Sequence, residues 1–155
     1  MKRILALDMG STTGWAALSA GEVSTGIHVC MKRTVAGDRW IRFHDWLSEM
    51  LDFYEPQTII FEEPFIHMKH LSGIGVSYGF KTILEMLASR RRIRCYGIAP
   101  TVLKKWATGH GNASKDQMLT FARSMGWKMQ DNNEVDARWL LEYARVRLAK
   151  FKGAA

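Results

Sequence analysis

The sequence predicts an α/β fold: a mixed five-stranded sheet with helices on both faces. Three observations carry that expectation. Short apolar runs bounded by turn residues recur at Ile4–Leu7, Trp15–Leu18, Val23–Cys30, Thr58–Phe61 and Ile93–Ile98, the length and punctuation of strands. Stretches with apolar residues at helical spacing lie between and after the later runs. Three strands in succession followed by strand–helix alternation combine a meander with crossovers, which implies a mixed sheet carrying packed helices.

The first strand ends on Asp8 and the cluster Gly10-Ser11-Thr12-Thr13-Gly14, which reads as a turn. Ser19-Ala20-Gly21 separates the second strand from the third. From Asp38 to Phe53, the residues Trp40, Phe43, Trp46, Leu47, Met50 and Leu51 recur with a helical period, and Pro56 closes the helix. The fourth strand stops at Glu62-Glu63-Pro64. A loop rich in Gly, His and Ser then precedes a helix from about Gly75 to Arg90, with Val76, Phe80, Ile83, Leu84 and Leu87 on one face. After the fifth strand, Pro100 stands where a helix can begin, and Val102–Trp106 forms a short basic one. Ser114-Lys115-Asp116-Gln117 has capping-box spacing, so a helix starts at Ser114 and ends by Gly126. The last helix runs from Asn133 to about Phe151, showing Val135, Trp139, Tyr143 and Val146 on one side. No linker or low-complexity stretch interrupts residues 1–155, which read as one domain.

Composition narrows the function. The chain has 155 residues, 47% hydrophobic and 24% charged, with neither the repeats of a solenoid nor the long apolar runs of a transporter. Twenty-two Lys and Arg against fifteen Asp and Glu leave a net charge of +7. That balance favours a polyanionic partner, nucleic acid first and an anionic membrane surface second. The two cysteines, Cys30 and Cys95, are too far apart for a zinc framework or a disulfide scaffold. They point to a reducing compartment. The N-terminal apolar run stops at Asp8, short of a signal peptide's core, so a cytoplasmic location is expected.

Three acids fall at the ends of buried elements: Asp8 after the first strand, Glu62 after the fourth, and Asp136 in the first turn of the last helix. A carboxylate at the edge of an apolar strand is costly without a cation or donors. If the first and fourth strands are neighbours, Asp8 and Glu62 stand side by side, and a metal is needed to keep both ionised. An all-oxygen cluster suits Mg²⁺ or Mn²⁺. Two such ions about 3.5–4 Å apart clamp the attacking and leaving oxygens of a phosphodiester. Taken singly, each acid has a plainer reading: Asp8 as a turn residue or cap, Glu63 as a solvated neighbour, Asp136 as a partner of the helix dipole.

Asp8 through Gly14 also looks like the first phosphate loop of actin-like kinases, but those need two domains around a nucleotide, which 155 residues cannot provide. The segment from Pro100 to Gln117 says more. Lys104 and Lys105 precede Gly109-His110-Gly111, and Lys115 opens the next helix. Two helix starts, a glycine loop and three lysines make a phosphate cradle, or else a solvated basic face.

Five motifs then occur in order: Ile4-Leu5-Ala6-Leu7-Asp8-x-Gly10; Phe61-Glu62-Glu63-Pro64-Phe65; Ala99-Pro100-Thr101 through Lys104; Gly109-x-Gly111-x-Ala113-x-Lys115-x-Gln117; and Asn133-Glu134-Val135-Asp136-Ala137. In order and spacing, from about residue 3 to residue 148, they resemble the RuvC Holliday-junction resolvases, and the small versions carried by phages in particular. The resemblance implies an RNase H-like fold, a homodimer, and Mg²⁺-dependent nicking of opposed strands at DNA junctions in a bacterial or phage-infected cell, with two ions per site and Mn²⁺ as a substitute. It implies metal ligation by Asp8, Glu62 and Asp136, phosphate binding by Lys104 and Lys115, and stacking of Phe65 on a base at the crossover. It also makes the helix from Gly75 to Arg90 the dimer element, with Gly75 and Gly79 allowing close approach across the two-fold axis. One position departs from the pattern. The family's fourth acid is here Asn133, whose amide oxygen is a weak, uncharged ligand, and Asp131 or Glu134 is available to compensate. His67 and His70 read as surface polar residues. Two alternatives stay open: a catalytically weak module that binds branched DNA, and a nuclease of the same fold acting on RNA–DNA hybrids.

Overall fold

The computed structural model describes residues 2–30, 35, 37–65 and 71–148. Its elements are β1 (Ile4–Asp8), β2 (Thr12–Ser19), β3 (Glu22–Val29), α1 (Asp38–Tyr54), β4 (Thr58–Glu62), α2 (Leu71–Arg90), β5 (Arg94–Ile98), α3 (Pro100–Thr108), α4 (Lys115–Ser124) and α5 (Asn132–Arg147). The strands form one sheet in the order β3-β2-β1-β4-β5. β1, β2 and β3 pair antiparallel as a meander, while β4 and β5 join parallel to β1 through helical crossovers.

Strand alternation sorts the core onto two faces. Ile4 and Ala6 of β1 and Ile60 of β4 join Leu103, Met118, Val135, Trp139, Leu140 and Leu141 under α3, α4 and α5. Leu5 and Leu7, with Ile59 and Phe61, join Phe43, Leu47, Phe80 and Leu84 under α1 and α2. Aromatic stacking closes the second core: the Phe43 and Phe80 rings lie 3.9 Å apart and nearly parallel. Each side chain fully buried this way contributes about 1.5–3 kcal/mol.

Several elements differ from their sequence reading. β2 starts at Thr12, so Thr12-Thr13-Gly14 is strand and not turn; Thr13 is buried and its hydroxyl donates to the Gly10 carbonyl at 3.0 Å. α2 starts at Leu71, where two glycines in the first turns had hidden the period. α3 is longer at both ends, from the N1 proline to a left-handed cap at Gly109. α5 runs to Arg147 with Leu148 as its C-cap, and residues 149–151 of the helix expected up to Phe151 lie outside the described residues. Its buried side includes Ala137, Leu140, Leu141 and Ala144, while Val146 is exposed. His67 and His70 also lie outside the described residues. Among the described residues, no helix is long and apolar enough to cross a membrane.

Gly79 packs against α1 within the chain. A Cβ there would lie 2.4 Å from the Trp40 ring of α1, so this glycine serves the α1–α2 packing within the chain. A Cβ on Gly75 meets nothing within 4 Å.

Candidate active site

The alternation that sorts the core also aims the acids. Asp8 follows Ile4 and Ala6, and Glu62 follows Ile60, so both carboxylates leave the sheet on the α3–α4–α5 face. The parallel register puts Leu7 opposite Phe61, which makes Asp8 and Glu62 neighbours one residue further on.

Asp136 arrives from α5, and Gly14 sets where. Gly14 pairs with Asp8 across the β1–β2 ladder. The start of α5 rests on it so closely that a Cβ at this position would lie 1.8 Å from the Asn133 carbonyl oxygen. Asp131 fixes the same helix end, its Oδ1 accepting from the backbone N–H of Asn133 at 2.8 Å and of Glu134 at 3.3 Å. One turn on, Asp136 acts electrostatically on both Asp8 and Glu62.

Burial and crowding raise the proton affinity of all three acids. Burial pushes Asp8 well above the usual carboxylate range, with Glu62 and Asp136 adding to it. Glu62 is pushed up to about 7, by burial first and Asp136 second. Asp136 rises to about 6, chiefly through burial. Lys115 opposes all three shifts, and Lys104 those of Glu62 and Asp136.

Lys104 comes from α3 and Lys115 from the first residue of α4, which Ser114 caps with a full capping box. A cation at a helix N-terminus opposes the helix dipole; here the facing carboxylates offset that cost. Lys105, on the same helix as Lys104, is exposed and is not among the charges acting on the three acids.

A cleft of about 370 Å³ opens beside the acids, lined by Asp8, Glu62, Glu63, Phe65, Thr101 and Lys104 among others. Phe65 is 63% exposed at its mouth. Among the described residues, no three His, Cys, Asp or Glu side chains already converge as a cage for one ion. The donor chemistry nevertheless fits a hard cation: three carboxylates that repel one another, with two lysines compensating part of their charge.

The residues around Asn133 have separate duties. Asp131 caps α5. Glu134 accepts a hydrogen bond from the Thr25 hydroxyl of β3. Asn133 itself supplies the carbonyl that seats on Gly14. Glu63 is not simply solvated, since Lys81 of α2 donates to both of its oxygens, at 3.1 and 2.8 Å. Eighteen residues separate that pair, so no local pattern announces it. The Asp131-x-x-Glu134 spacing was the available signal for the α5 cap.

The mixed β3-β2-β1-β4-β5 sheet, with carboxylates at one end and lysines beside them, has the RNase H-like fold. The chain belongs to the RuvC family: the model for "Crossover junction endodeoxyribonuclease RuvC" matches residues 4–139. Curated relatives of that name include one from Ehrlichia chaffeensis, 29% identical over 75% of this chain and 77% of its own length. Another, from Hydrogenovibrio crunogenus, is 26% identical over 88% of this chain and 81% of its own. Among solved structures, Thermus thermophilus RuvC in complex with a Holliday junction substrate superposes with a TM-score of 0.77 at 20% identity, covering 96% of this chain and 97% of that one. The yeast mitochondrial Holliday junction resolvase gives 0.69 at 10% identity, over 99% and 81%. These structural likenesses support the fold.

Proposed function

We propose that the chain is a structure-selective endonuclease that nicks Holliday junctions and other branched DNA by metal-dependent phosphodiester hydrolysis. One observation carries the reading: buried carboxylates from β1, β4 and α5, distant in sequence, lie within electrostatic reach of one another and of Lys115, with their proton affinities raised.

Asp8, Glu62 and Asp136 would hold Mg²⁺ or Mn²⁺, two ions per site, with the Asn133 amide oxygen as the weaker donor. When bound, such ions supply Lewis acidity toward the scissile phosphate. Lys104 and Lys115 draw the phosphodiester backbone onto the acids and offset the charge that builds on phosphate during the reaction. Phe65, at the cleft mouth, offers a ring for an unstacked base, a contact of about 1–3 kcal/mol that tolerates any sequence. Two opposed nicks need two sites, so the working species is a homodimer; exposed Tyr78 and Met86 on α2 support that helix as the interface.

The purified protein is to be incubated with a four-way junction, a fork, a linear duplex and an RNA–DNA hybrid, with and without Mg²⁺ or Mn²⁺. Paired nicks in the junction that require metal support the reading. Tight junction binding without cleavage in either metal favours the binding-module alternative, for which Asn133 argues. Cleavage of the hybrid alone favours the third.

A further inference from the structure

Successive residues at a strand end point to opposite faces. Glu62 and Glu63 both line the cleft, but Glu62 turns toward the lysines of α3 and α4 and Glu63 toward α2. The backbone N–H of Glu63 donates to the Ile98 carbonyl at 2.9 Å, extending the β4–β5 ladder by one bond. Its side chain lies directly over Gly97 of β5, where a Cβ would come within 2.1 Å of Oε1 and 2.6 Å of Cγ. Lys81 holds that carboxylate in place through both oxygens, and the ammonium also stands 5.7 Å from the Phe61 ring centre.

The same stretch of α2 reaches two more points of the site's scaffold. The Ser77 hydroxyl donates to the carbonyl of Met9, the residue after Asp8, at 3.2 Å. The Tyr78 hydroxyl donates to the Pro64 carbonyl at 3.3 Å. Three residues within one short stretch of the helix, Ser77, Tyr78 and Lys81, thus tie down the chain beyond both acid-bearing strands.

We infer that Lys81 is a positioning residue: by clamping Glu63 over Gly97 it fixes the end of β4 and so aims Glu62 into the cleft. The inference rests on Glu62 acting as a catalytic ligand. Lys81 itself touches no reacting atom. An ion pair partly open to solvent adds little to stability, so its value lies in direction. Displacing a reacting group by about 1 Å costs up to about a hundredfold in rate.

The test is single-turnover junction cleavage by the full chain, with junction Kd, its salt dependence and the melting temperature measured on the same samples. Lys81→Met is expected to slow cleavage about tenfold or more, with Kd and salt slope unchanged and melting close to wild type. Lys81→Arg, whose planar fork can grip a carboxylate through two bonds, is expected to restore most of the rate. Gly97→Ala, which wedges the Glu63 carboxylate aside, should mimic Lys81→Met, and adding Glu63→Gln to Lys81→Met should cost little more. Wild-type cleavage by Lys81→Met while Glu62→Gln is inactive overturns the inference and leaves the carboxylate reading standing. Wild-type cleavage by Glu62→Gln overturns both. A salt slope smaller by about one in Lys81→Met makes Lys81 a phosphate contact and also overturns the inference.

Discussion

Glu62→Gln should stabilise the metal-free protein at pH 8 while destroying its activity. Glu62 has an ordinary value of 4.5 and is pushed up to about 7 in the folded chain. A raised value means that the folded state holds the proton more tightly than the unfolded state. The associated stability is present below about pH 4.5 and is lost as pH rises through about 7. Each tenfold change in proton affinity is 1.36 kcal/mol. The rise from 4.5 to about 7 therefore makes the ionised side chain a burden of about 3 kcal/mol. Glutamine keeps the shape and carries no charge. Removing the charge also relieves Asp8, which Glu62 holds up, so the two effects share a sign. For a chain of this length, about 2–3 kcal/mol corresponds to a melting shift of about 5–10 °C. Thermal melts of both proteins in EDTA at pH 5 and pH 8 are the assay. Near-equal stability at pH 5 and a variant melting about 5–10 °C higher at pH 8 is the expected pattern. Added Mg²⁺ should stabilise wild type at pH 8 more than the variant. A variant as pH-dependent as wild type, or less stable than it at pH 8, would refute the crowded-carboxylate reasoning.

Two further outcomes are expected. Lys104→Ala should reduce the magnitude of the log–log salt slope for junction binding by about one, whereas Lys105→Ala, whose side chain stands apart from the acids, should leave it unchanged; an equal effect at both positions would remove the distinction. Gly14→Ala should cost more than about 3 kcal/mol in urea unfolding, since backbone at Asn133 cannot yield as a side chain would, while Gly75→Ala, open to space within a helix, should be neutral or stabilising by up to about 1 kcal/mol.

Local chemistry made much of this molecule legible. The five strands came from short apolar runs, and their order anticipated the mixed sheet. Placing Asp8 beside Glu62 needed only β1 next to β4, which the parallel pairing supplies. The α4 start followed from its capping box. What escaped was set by packing between distant segments. Gly14 looked like a turn residue because sequence does not show that α5 rests on it. The room that Gly79 leaves for the Trp40 ring was not legible because Trp40 lies 39 residues away on another helix. Glu63 looked solvated because Lys81 sits on the far side of the sheet from Glu62. Glycine within the β5 run was the one local hint, since strand glycines mark a close approach; the Glu63 carboxylate is what approaches.

In the proposed function, Asp8, Glu62 and Asp136 form one metal-dependent centre for cutting branched DNA. Asp8→Asn tests it most directly, because the substitution removes one carboxylate and leaves the lysines and the cleft in place. Junction binding and junction nicking should be measured on the same preparation in Mg²⁺ and in Mn²⁺. Phosphate contacts fix the protein on DNA, so affinity equal to or slightly above wild type is expected, with nicking abolished in both metals. Nicking by Asp8→Asn at the wild-type rate would contradict the claim.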